Sequence, residues 1–239
     1  MGRAYEVRKA SIQKNGAIKA KLYSNFAKEI YLAAKSGGTD PDSNANLKRL
    51  IDQAKKSQVP SDIVKRAIDK VNSGVDENYT SCRYEGFGPG GCTLIVDCLT
   101  DNVNRTVGFV RSAFTKSNGK LGVENSVSHF YENLAIFAVK GYTLDDLFEK
   151  LMMEDVNVKD IEEDDGLVII TSDAKEYNNI RKALINIDSN IDLEIDEIAM
   201  VPLEKITLTN EEDKEMFNKL INMLDDIEDV QNVYHNVEL

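Results

Sequence analysis

The sequence predicts an α+β protein, in which an N-terminal basic three-helix domain is followed by two ferredoxin-like α/β sandwich domains, the third inserted into the second. Apolar residues recur with helical spacing up to Gly74, and strands alternate with helices after it. Charge divides the 239-residue chain at the same place: residues 1–75 hold 15 Lys/Arg and 7 Asp/Glu, whereas the remainder holds 14 and 34. We therefore predict a basic helical domain over 1–76, a second domain over 77–132 and 206–239, and an inserted third domain over 133–205.

Three amphipathic helices are predicted in the basic segment. The first is expected to end at Gly37-Gly38, and the second is followed by Pro60. The third has Ser61 as its predicted N-cap and Gly74 as its stop. The apolar positions of the three helices are Phe26, Ile30, Ala33 and Ala34; Leu47, Leu50, Ile51 and Ala54; and Ile63, Val64, Ala67, Ile68 and Val71. The first twenty residues show no clear period and are predicted to form a mobile basic arm.

A β-α-β-β-α-β series predicts the third domain, with strands and helices expected at Ala135–Val139, Leu144–Glu154, Val156–Ile161, Leu167–Thr171, Lys175–Ile187 and Leu193–Met200. Asp164-Asp165-Gly166 is the predicted hairpin turn. Elements expected before and after this series are Arg83–Glu85, Thr93–Leu99, Val103–Lys116 and Ser126–Tyr131, then Glu211–Leu224 and Val230–Tyr234. Either set alone would leave a sheet face bare, so we expect the two sets to form one domain of order ββαβαβ.

Composition excludes several classes of protein. No apolar run approaches the roughly 18 residues of a spanning helix, and the first thirty residues carry charge throughout, so neither a membrane span nor a signal peptide is predicted. Cys82, Cys92 and Cys98 form no CxxC pair, and the only histidines are His129 and His235. The usual zinc frameworks and a disulfide scaffold are therefore excluded, and a cytoplasmic protein without metal or cofactor is predicted. No nucleophile–base pair is evident, so we predict no catalytic residue and no small-molecule substrate.

The segment Gly86-Phe87-Gly88-Pro89-Gly90-Gly91 matches the GxGxxG pattern of dinucleotide sites. Such a site needs a helix after the loop, because the amides of that helix hold the pyrophosphate. Here the strand-like TLIVDCL follows, and Pro89 lacks an amide hydrogen. A kinase-type glycine loop is excluded as well, since no VAIK, HRD or DFG string follows. We therefore predict a tight hairpin with positive φ at several positions, and no bound nucleotide.

Two further kinds of polar motif favour structural roles. In the string DNVNRT (101–106), an Asp or Asn can cap a helix, and Arg105 is the member that we expect to contact phosphate, with Arg111 as a further candidate. The acidic runs Glu162–Asp165 and Asp225–Asp229 could hold a hard cation, but the first does not fit the spacing of a calcium loop. Both runs are interpreted mainly as solvated turns, and a partner contact for the second stays open.

The basic segment is the candidate binding surface. Many cations on one surface bind the phosphate backbone of a nucleic acid with affinity but with little sequence information. Tyr5, Tyr23 and Tyr31 lie between these cations and could stack on unpaired bases. The alternative is a solvated basic surface, which the acidity of the remaining chain disfavours. The candidate nucleic-acid-binding residues are Arg3, Arg8, Lys9, Lys14, Lys19, Lys21, Lys28, Lys48, Arg49, Lys55, Lys56, Lys65 and Arg66, together with Arg105.

Several unusual strings resemble the YebC/PmpR family, which includes the mitochondrial translational activator of cytochrome c oxidase. They are Tyr84-Glu85-Gly86-Phe87-Gly88-Pro89-Gly90-Gly91, Asp101-Asn102 with Asn104-Arg105-Thr106, Gly119-Lys120-Leu121-Gly122 and Val233-Tyr234-His235-Asn236. The resemblance covers essentially the whole chain. Two places depart from it: Gly2-Arg3-Ala4-Tyr5 replaces a Gly-His-Ser-Lys-Trp-Ala type start, and Asn125-Ser126-Val127 replaces Gly-Ser-Val. Asn tolerates positive φ, so we expect the second turn to be kept.

The resemblance implies a basic helical domain with two α/β domains, and a cytoplasmic regulatory protein. Together with the charge pattern, it predicts a non-enzymatic nucleic-acid-binding regulator of gene expression, in the first place a DNA-binding transcriptional regulator. The alternative is a ribosome-associated translation factor that binds ribosomal RNA and relieves stalled translation. The residues themselves are compatible with either DNA or RNA as the target.

Overall fold

The structure of the protein, a computed structural model, describes residues 19–238. In that range the chain forms seven α-helices and two four-stranded antiparallel sheets, which confirms the predicted α+β class. It divides into two compact units. One runs from the first described helix to Val127 and includes Ile206–Glu238, and the other is Ser128–Lys205. The domain boundaries drawn from the sequence stay a prediction.

The elements are named here in chain order. The helices are α1 (Lys19–Gly37), α2 (Ala45–Lys56), α3 (Ser61–Asn72), α4 (Val103–Lys116), α5 (Leu144–Met153), α6 (Tyr177–Ile187) and α7 (Glu211–Asp225). The strands are β1 (Thr80–Phe87), β2 (Thr93–Thr100), β3 (Lys120–Leu121), β4 (Tyr131–Lys140), β5 (Asp160–Asp164), β6 (Leu167–Asp173), β7 (Asp192–Pro202) and β8 (Val230–His235).

The helices α1, α2 and α3 pack around the apolar stripes that their spacing predicts. Asn44 joins the first two helices, because its side chain accepts a hydrogen bond from the amide of Leu47 and donates to the carbonyl of Ala33. The predicted N-cap at Ser61 is wrong. Ser61 is the first residue of α3, and Pro60 occupies the cap position without a side-chain hydrogen bond. Pro60 has φ −57° and ψ 134°, an extended conformation, so the helix begins at the residue after it.

The rest of the first unit is a two-layer sandwich. Its sheet has the order β3-β1-β2-β8, and α4 and α7 cover one face around a core that includes Phe114 and Phe217. The two central strands, β1 and β2, are joined directly by a hairpin. A ferredoxin-like domain joins its central strands through a helix and a further strand. The layers of this domain are therefore those expected, whereas its connectivity differs from the ferredoxin-like one.

The predicted strand Ser126–Tyr131 is wrong. The strand that follows α4 in the first sheet is β3, at Lys120–Leu121, and not the predicted segment. After β3 the chain forms a loop and a short 3-10 turn at Ser128–Phe130. The amides of Asn125 and Val127 bind the carboxylate of Glu85 instead of a neighbouring strand. This is why the alternating pattern of the segment does not become a strand. Asn125 has φ 63°, so the predicted turn is confirmed.

The second unit has the β-α-β-β-α-β connectivity that the sequence predicts. Its sheet has the order β5-β6-β4-β7, and the helices α5 and α6 pack on one face. Strand β5 is shifted from the predicted Val156–Ile161. Asp165 and Gly166 both have positive φ, 53° and 75°, and the turn that they form pairs Asp164 with Leu167. This pairing makes β5 end at Asp164.

Candidate nucleic-acid interface

Exposed lysines lie on α2 at the predicted two-turn spacing. The side chains of Lys48 and Lys55 are 61% and 71% exposed. Lys48 lies 3.5 Å from a carboxylate oxygen of Asp42, and Lys55 lies 3.1 Å from one of Asp52. Ion pairs this exposed typically contribute ~0–1 kcal/mol to stability, because water and salt screen them. A phosphate group can therefore replace either carboxylate at little cost.

The other cations of α2 and α3 differ in burial and in the hydrogen bonds that they form with neighbouring residues. Arg49 is half-buried, and its guanidinium donates to Asn46 Oδ1 at 2.9 Å and to Gln53 Oε1 at 3.0 Å. Lys56, Lys65 and Arg66 are exposed. Arg66 uses its Nε–H on the carbonyl of Asp62, and a guanidinium has five N–H groups, so four remain. The outward faces of α2 and α3 are thus cationic.

Two lysines of α1 are withdrawn from this surface, although both are candidate phosphate contacts on sequence grounds. Lys28 is only 8% exposed, and its Nζ lies 3.1 Å from Asp229 Oδ1. Lys21 donates from Nζ to the carbonyl of Asp225 at 2.7 Å, and burial lowers its pKa. We therefore correct the assignment of both residues: they hold α1 against the segment between α7 and β8. Lys19 is exposed at the start of α1.

Asp229 is the centre of this contact. It is 5% exposed, and its Oδ2 accepts hydrogen bonds from Thr106 Oγ1 and Arg105 Nη2, each at 2.8 Å. Burial alone would raise the pKa of this carboxyl, but the hydrogen bonds from Arg105, Thr106 and Lys28 outweigh it and lower the pKa to about 2. Asp229 is therefore a buried, ionised carboxylate that joins α1 and α4. Its interpretation as part of a solvated turn is wrong.

Arg105 is only partly available to a ligand. Its side chain is 42% exposed, and its Nη2 lies 2.7 Å from Asp101 Oδ1 and 2.8 Å from Asp229 Oδ2. Asn102 caps α4 by accepting a hydrogen bond from the amide of Arg105, which confirms the capping interpretation of the DNVNRT string. The sequence offered no local signal for the pairing with Asp229, because 124 positions separate the two residues.

The glycine-rich segment forms the predicted hairpin. It joins β1 to β2 through a 3-10 turn at Pro89–Gly91, in which Gly90 and Gly91 have φ of 63° and 76°. A Cβ atom at Gly88 would lie 2.6 Å from Cys92 Sγ, so this glycine is required by packing. No helix follows the loop to supply amides for a pyrophosphate.

Of the three tyrosines predicted to stack on unpaired bases, the structure describes Tyr23 and Tyr31. Tyr31 is 2% exposed, and its hydroxyl donates to the carbonyl of Val75 and accepts from the amide of Glu77. Its predicted role in base stacking is therefore wrong. Tyr23 is half-buried, with its hydroxyl 3.5 Å from the carbonyl of Gln58. The remaining candidates, Arg3, Tyr5, Arg8, Lys9 and Lys14, lie outside the described residues.

Neither a cluster of metal ligands nor a membrane-spanning helix is found among the described residues. Within residues 19–238, no three His, Cys, Asp or Glu side chains lie together as a metal site would require. In the same range, no helix has the length and apolar character needed to cross a membrane.

Comparisons with known proteins agree along the whole chain. Residues 3–74 match the model of the TACO1/YebC protein N-terminal domain, and residues 79–237 match that of the TACO1/YebC second and third domain. Relatives from Hydrogenovibrio crunogenus and Vibrio campbellii are 48% and 49% identical over 239 residues and cover 100% of both chains. Each is named a probable transcriptional regulatory protein.

A solved structure has the same fold. The crystal structure of a conserved hypothetical protein from Aquifex aeolicus superposes with a TM-score of 0.76 at 32% identity, covering 93% of this chain and 91% of that one. The resemblance carried by the glycine-rich, DNVNRT and C-terminal strings is confirmed, and the chain belongs to the TACO1/YebC family.

Proposed function

We propose that the protein is a non-enzymatic, cytoplasmic regulator of gene expression that binds the phosphate backbone of DNA through α2 and α3. The observation that carries this proposal is the division of charge: net +8 over residues 1–75 and net −20 over the remainder. The contacts assigned to the surface are Lys48, Lys55, Lys56, Lys65 and Arg66, with Lys19 and Arg49 beside them. The names of the relatives, probable transcriptional regulatory proteins, support the same function.

The chemistry of this surface favours backbone contacts over base readout. Lysine is a flexible point charge, and it contacts phosphate without the planar geometry that pairs with a base edge. Each neutralised phosphate releases counterions, so affinity should fall steeply with salt and vary little with sequence. Selection of a target would then depend on the shape of the nucleic acid or on a second contact.

Charge reversal on α2 tests the proposal. We expect K48E/K55E to weaken binding to two unrelated duplexes by similar factors. The slope of log affinity against log salt should decrease by roughly one unit per lost contact. The matched control is K140E/K175E in the second unit, where both lysines are as exposed, 63% and 72%, and also pair with exposed carboxylates.

The control makes the result interpretable, because both double variants change the net charge by the same amount. If the two variants lose equal affinity, the effect is one of overall charge and the surface on α2 is not the contact. Unchanged affinity in K48E/K55E, with an unchanged melting temperature, would likewise remove α2 from the interface.

A second candidate is a translation factor that binds ribosomal RNA. It is supported by membership of the TACO1/YebC family, which includes a mitochondrial translational activator. The same lysines would contact the RNA backbone. Sucrose-gradient sedimentation of a cell extract separates the two functions, because comigration with ribosomal particles is expected for the translation factor and slow, free sedimentation for the transcriptional regulator.

A further inference from the structure

Helix α4 is a cationic element in the acidic part of the chain. Its sequence, VNRTVGFVRSAFTK, holds three basic residues and no acidic one, whereas residues 76–239 as a whole carry a net charge of −20. Arg105 is engaged by Asp101 and Asp229. Arg111 and Lys116 are exposed, and neither has an ion-pair partner within residues 19–238. Two cations of α4 are therefore available to a ligand.

Gly108 lies at the centre of the outward face of α4. At 100° per residue, Asn104, Arg111 and Thr115 lie within about 60° of it on one side, and Ser112 and Arg105 lie within about 60° on the other side. Lys116 and Phe109 lie beyond Ser112 and Arg105, at about 80° and 100° from Gly108. Glycine in a helix interior is destabilising relative to alanine. A Cβ atom built at Gly108 meets no atom of residues 19–238 within 4 Å, so packing within the described part of the chain does not require the glycine. Its absence of a side chain instead leaves the helix backbone open to close approach from outside.

Phe109 adds an aromatic surface beside this open backbone. Its side chain is 53% exposed. A single exposed apolar residue is common on proteins and by itself needs no explanation. Here it lies on the same side of α4 as Lys116, two turns away, whereas Arg111 lies on the other side of Gly108. Phe109 and Arg111 thus border the open backbone from opposite sides, and a strand that crosses the helix over Gly108 would reach both. Exposed aromatic rings combined with cations are the arrangement that binds unpaired bases while the cations contact phosphates.

We propose that the outward face of α4 binds a single-stranded nucleic acid. Phe109 stacks on an unpaired base, Arg111 and Lys116 contact the flanking phosphates, and Gly108 lets the strand approach the helix backbone. A base in a duplex is covered on both faces, so this contact selects unpaired nucleotides. The inference rests on the proposed function and extends it, because it names the form of nucleic acid that the protein engages.

The α4 face belongs to the same unit as the cationic faces of α2 and α3. Asp229 receives Arg105 of α4 at 2.8 Å on one oxygen and Lys28 of α1 at 3.1 Å on the other. Both helices are therefore held by one carboxylate. Where one nucleic acid reaches both faces, the lysines of α2 hold it near α4 at a raised effective concentration, and a modest stacking contact then adds to the affinity.

The test uses the full-length chain with two probes, an oligothymidylate and a duplex of mixed sequence. F109A should weaken binding of the single strand by roughly 5- to 150-fold, the range found for the loss of one stacking contact. Its affinity for the duplex should stay within about twofold of the wild type. The matched control is F148A on α5, which removes a phenylalanine that is 44% exposed and should leave both affinities unchanged.

G108Q supplies a second, independent variant. Glutamine is a good helix former, so the melting temperature should stay equal or rise, whereas its side chain covers the open backbone and should weaken binding of the single strand. A lower affinity with an equal or higher melting temperature is a result that a purely structural role of Gly108 does not produce. This variant keeps the test valid even if F109A folds poorly.

The outcomes separate this inference from the proposed function. If the wild type binds neither probe, the proposed function fails. If K48E/K55E weakens binding while F109A and G108Q leave the single-strand affinity within about twofold, the function stands and the α4 site is refuted. The α4 site is also refuted if F109A weakens binding of the duplex as much as binding of the single strand. It is refuted as well if neither probe responds to F109A or G108Q, the result expected if this face binds a protein partner instead.

Discussion

Replacing Asp229 with asparagine is expected to destabilise the contact between α1 and α4. The substitution keeps the size of the side chain and removes its charge. The ammonium group of Lys28, 8% exposed, would then lie in a buried site without its carboxylate at 3.1 Å. Arg105 and Thr106 would also lose their common ionised acceptor. Thr100, whose hydroxyl lies 3.1 Å from the same carboxylate, is a fourth donor, and all four would be left with a weaker partner.

Two estimates give the magnitude. The pKa of Asp229 is lowered from 3.8 to about 2 in the folded protein, and this difference corresponds to about 2 kcal/mol of folding free energy. Removing one member of a buried ion pair typically costs about 3–5 kcal/mol, because the other charge stays buried. Asparagine still accepts hydrogen bonds, so we expect D229N to lose about 2–4 kcal/mol near neutral pH.

The stability difference between the wild type and D229N is expected to depend on pH. A carboxyl whose pKa is lowered on folding stabilises the folded state fully above its unfolded pKa of 3.8, and this contribution is lost as the pH falls through about 2. The difference between wild type and D229N should therefore be constant at neutral pH and should decrease as the pH falls below 3.8 toward 2.

Urea unfolding followed by far-ultraviolet circular dichroism measures this difference. D226N is the matched control, since Asp226 is exposed in the same acidic run and should change stability by less than about 0.5 kcal/mol. A D229N loss no larger than that of D226N would refute the reasoning. A loss of the expected size that does not change between neutral pH and pH 2 would refute its electrostatic cause.

Three further changes test the local structure. G88V should lower the free energy of unfolding by about 1–3 kcal/mol, because a Cβ atom at this position lies 2.6 Å from the sulfur of Cys92, and urea unfolding measures the loss. Calorimetric titration with ATP should show no saturable binding to either the wild type or G88V. N102A should cost about 1 kcal/mol by removing the cap of α4, to be measured as a lower melting temperature, and a neutral result would contradict the capping role. E85Q should lower the free energy of unfolding by about 1–3 kcal/mol, because glutamine has one acceptor oxygen for the two amides that the buried carboxylate binds. Amide hydrogen exchange at Val127 should become faster, and unchanged exchange would contradict this role of Glu85.

Elements with a strong local period were predictable from the sequence. Helix α4 spans Val103–Lys116 as predicted, because an apolar stripe is visible in its fourteen positions and a capping residue, Asn102, directly before them. The β-α-β-β-α-β unit was predictable for the same reason, and its hairpin turn was marked by Asp165 and Gly166. Their local pattern was sufficient because the period of the apolar residues shows which face is buried, whichever distant element covers that face, as α7 covers that of α4.

Features that depend on distant residues were not predictable. The segment before Tyr131 has the alternation of a strand, but the carboxylate of Glu85 takes the amides of Asn125 and Val127. Lys28 looks like its exposed neighbours in sequence, and only the fold reveals a partner 201 positions away. Side-chain charge predicts affinity for phosphate, whereas burial decides which charges remain available for it.

For the candidate interface, the sequence predicted which lysines share a helix face, and Lys48 and Lys55 are both exposed on α2. That the helical segment contacts nucleic acid stays a prediction from the charge asymmetry. The open face of α4 has a different kind of signal. A glycine beside a phenylalanine within a helix is an ordinary pair in sequence, and it gains meaning only when the structure shows that none of the described residues occupies the space above Gly108.

The acidity of the remaining chain has a physical consequence for both proposed contacts. At physiological ionic strength, charges in solvent are screened over about 8 Å, so the net −20 does not cancel direct contacts between lysines and phosphates. It does oppose a polyanion that lies along any other part of that surface. A bound strand is therefore expected to contact the cationic faces of the helices and to avoid the acidic surface, since the first attracts it and the second repels it.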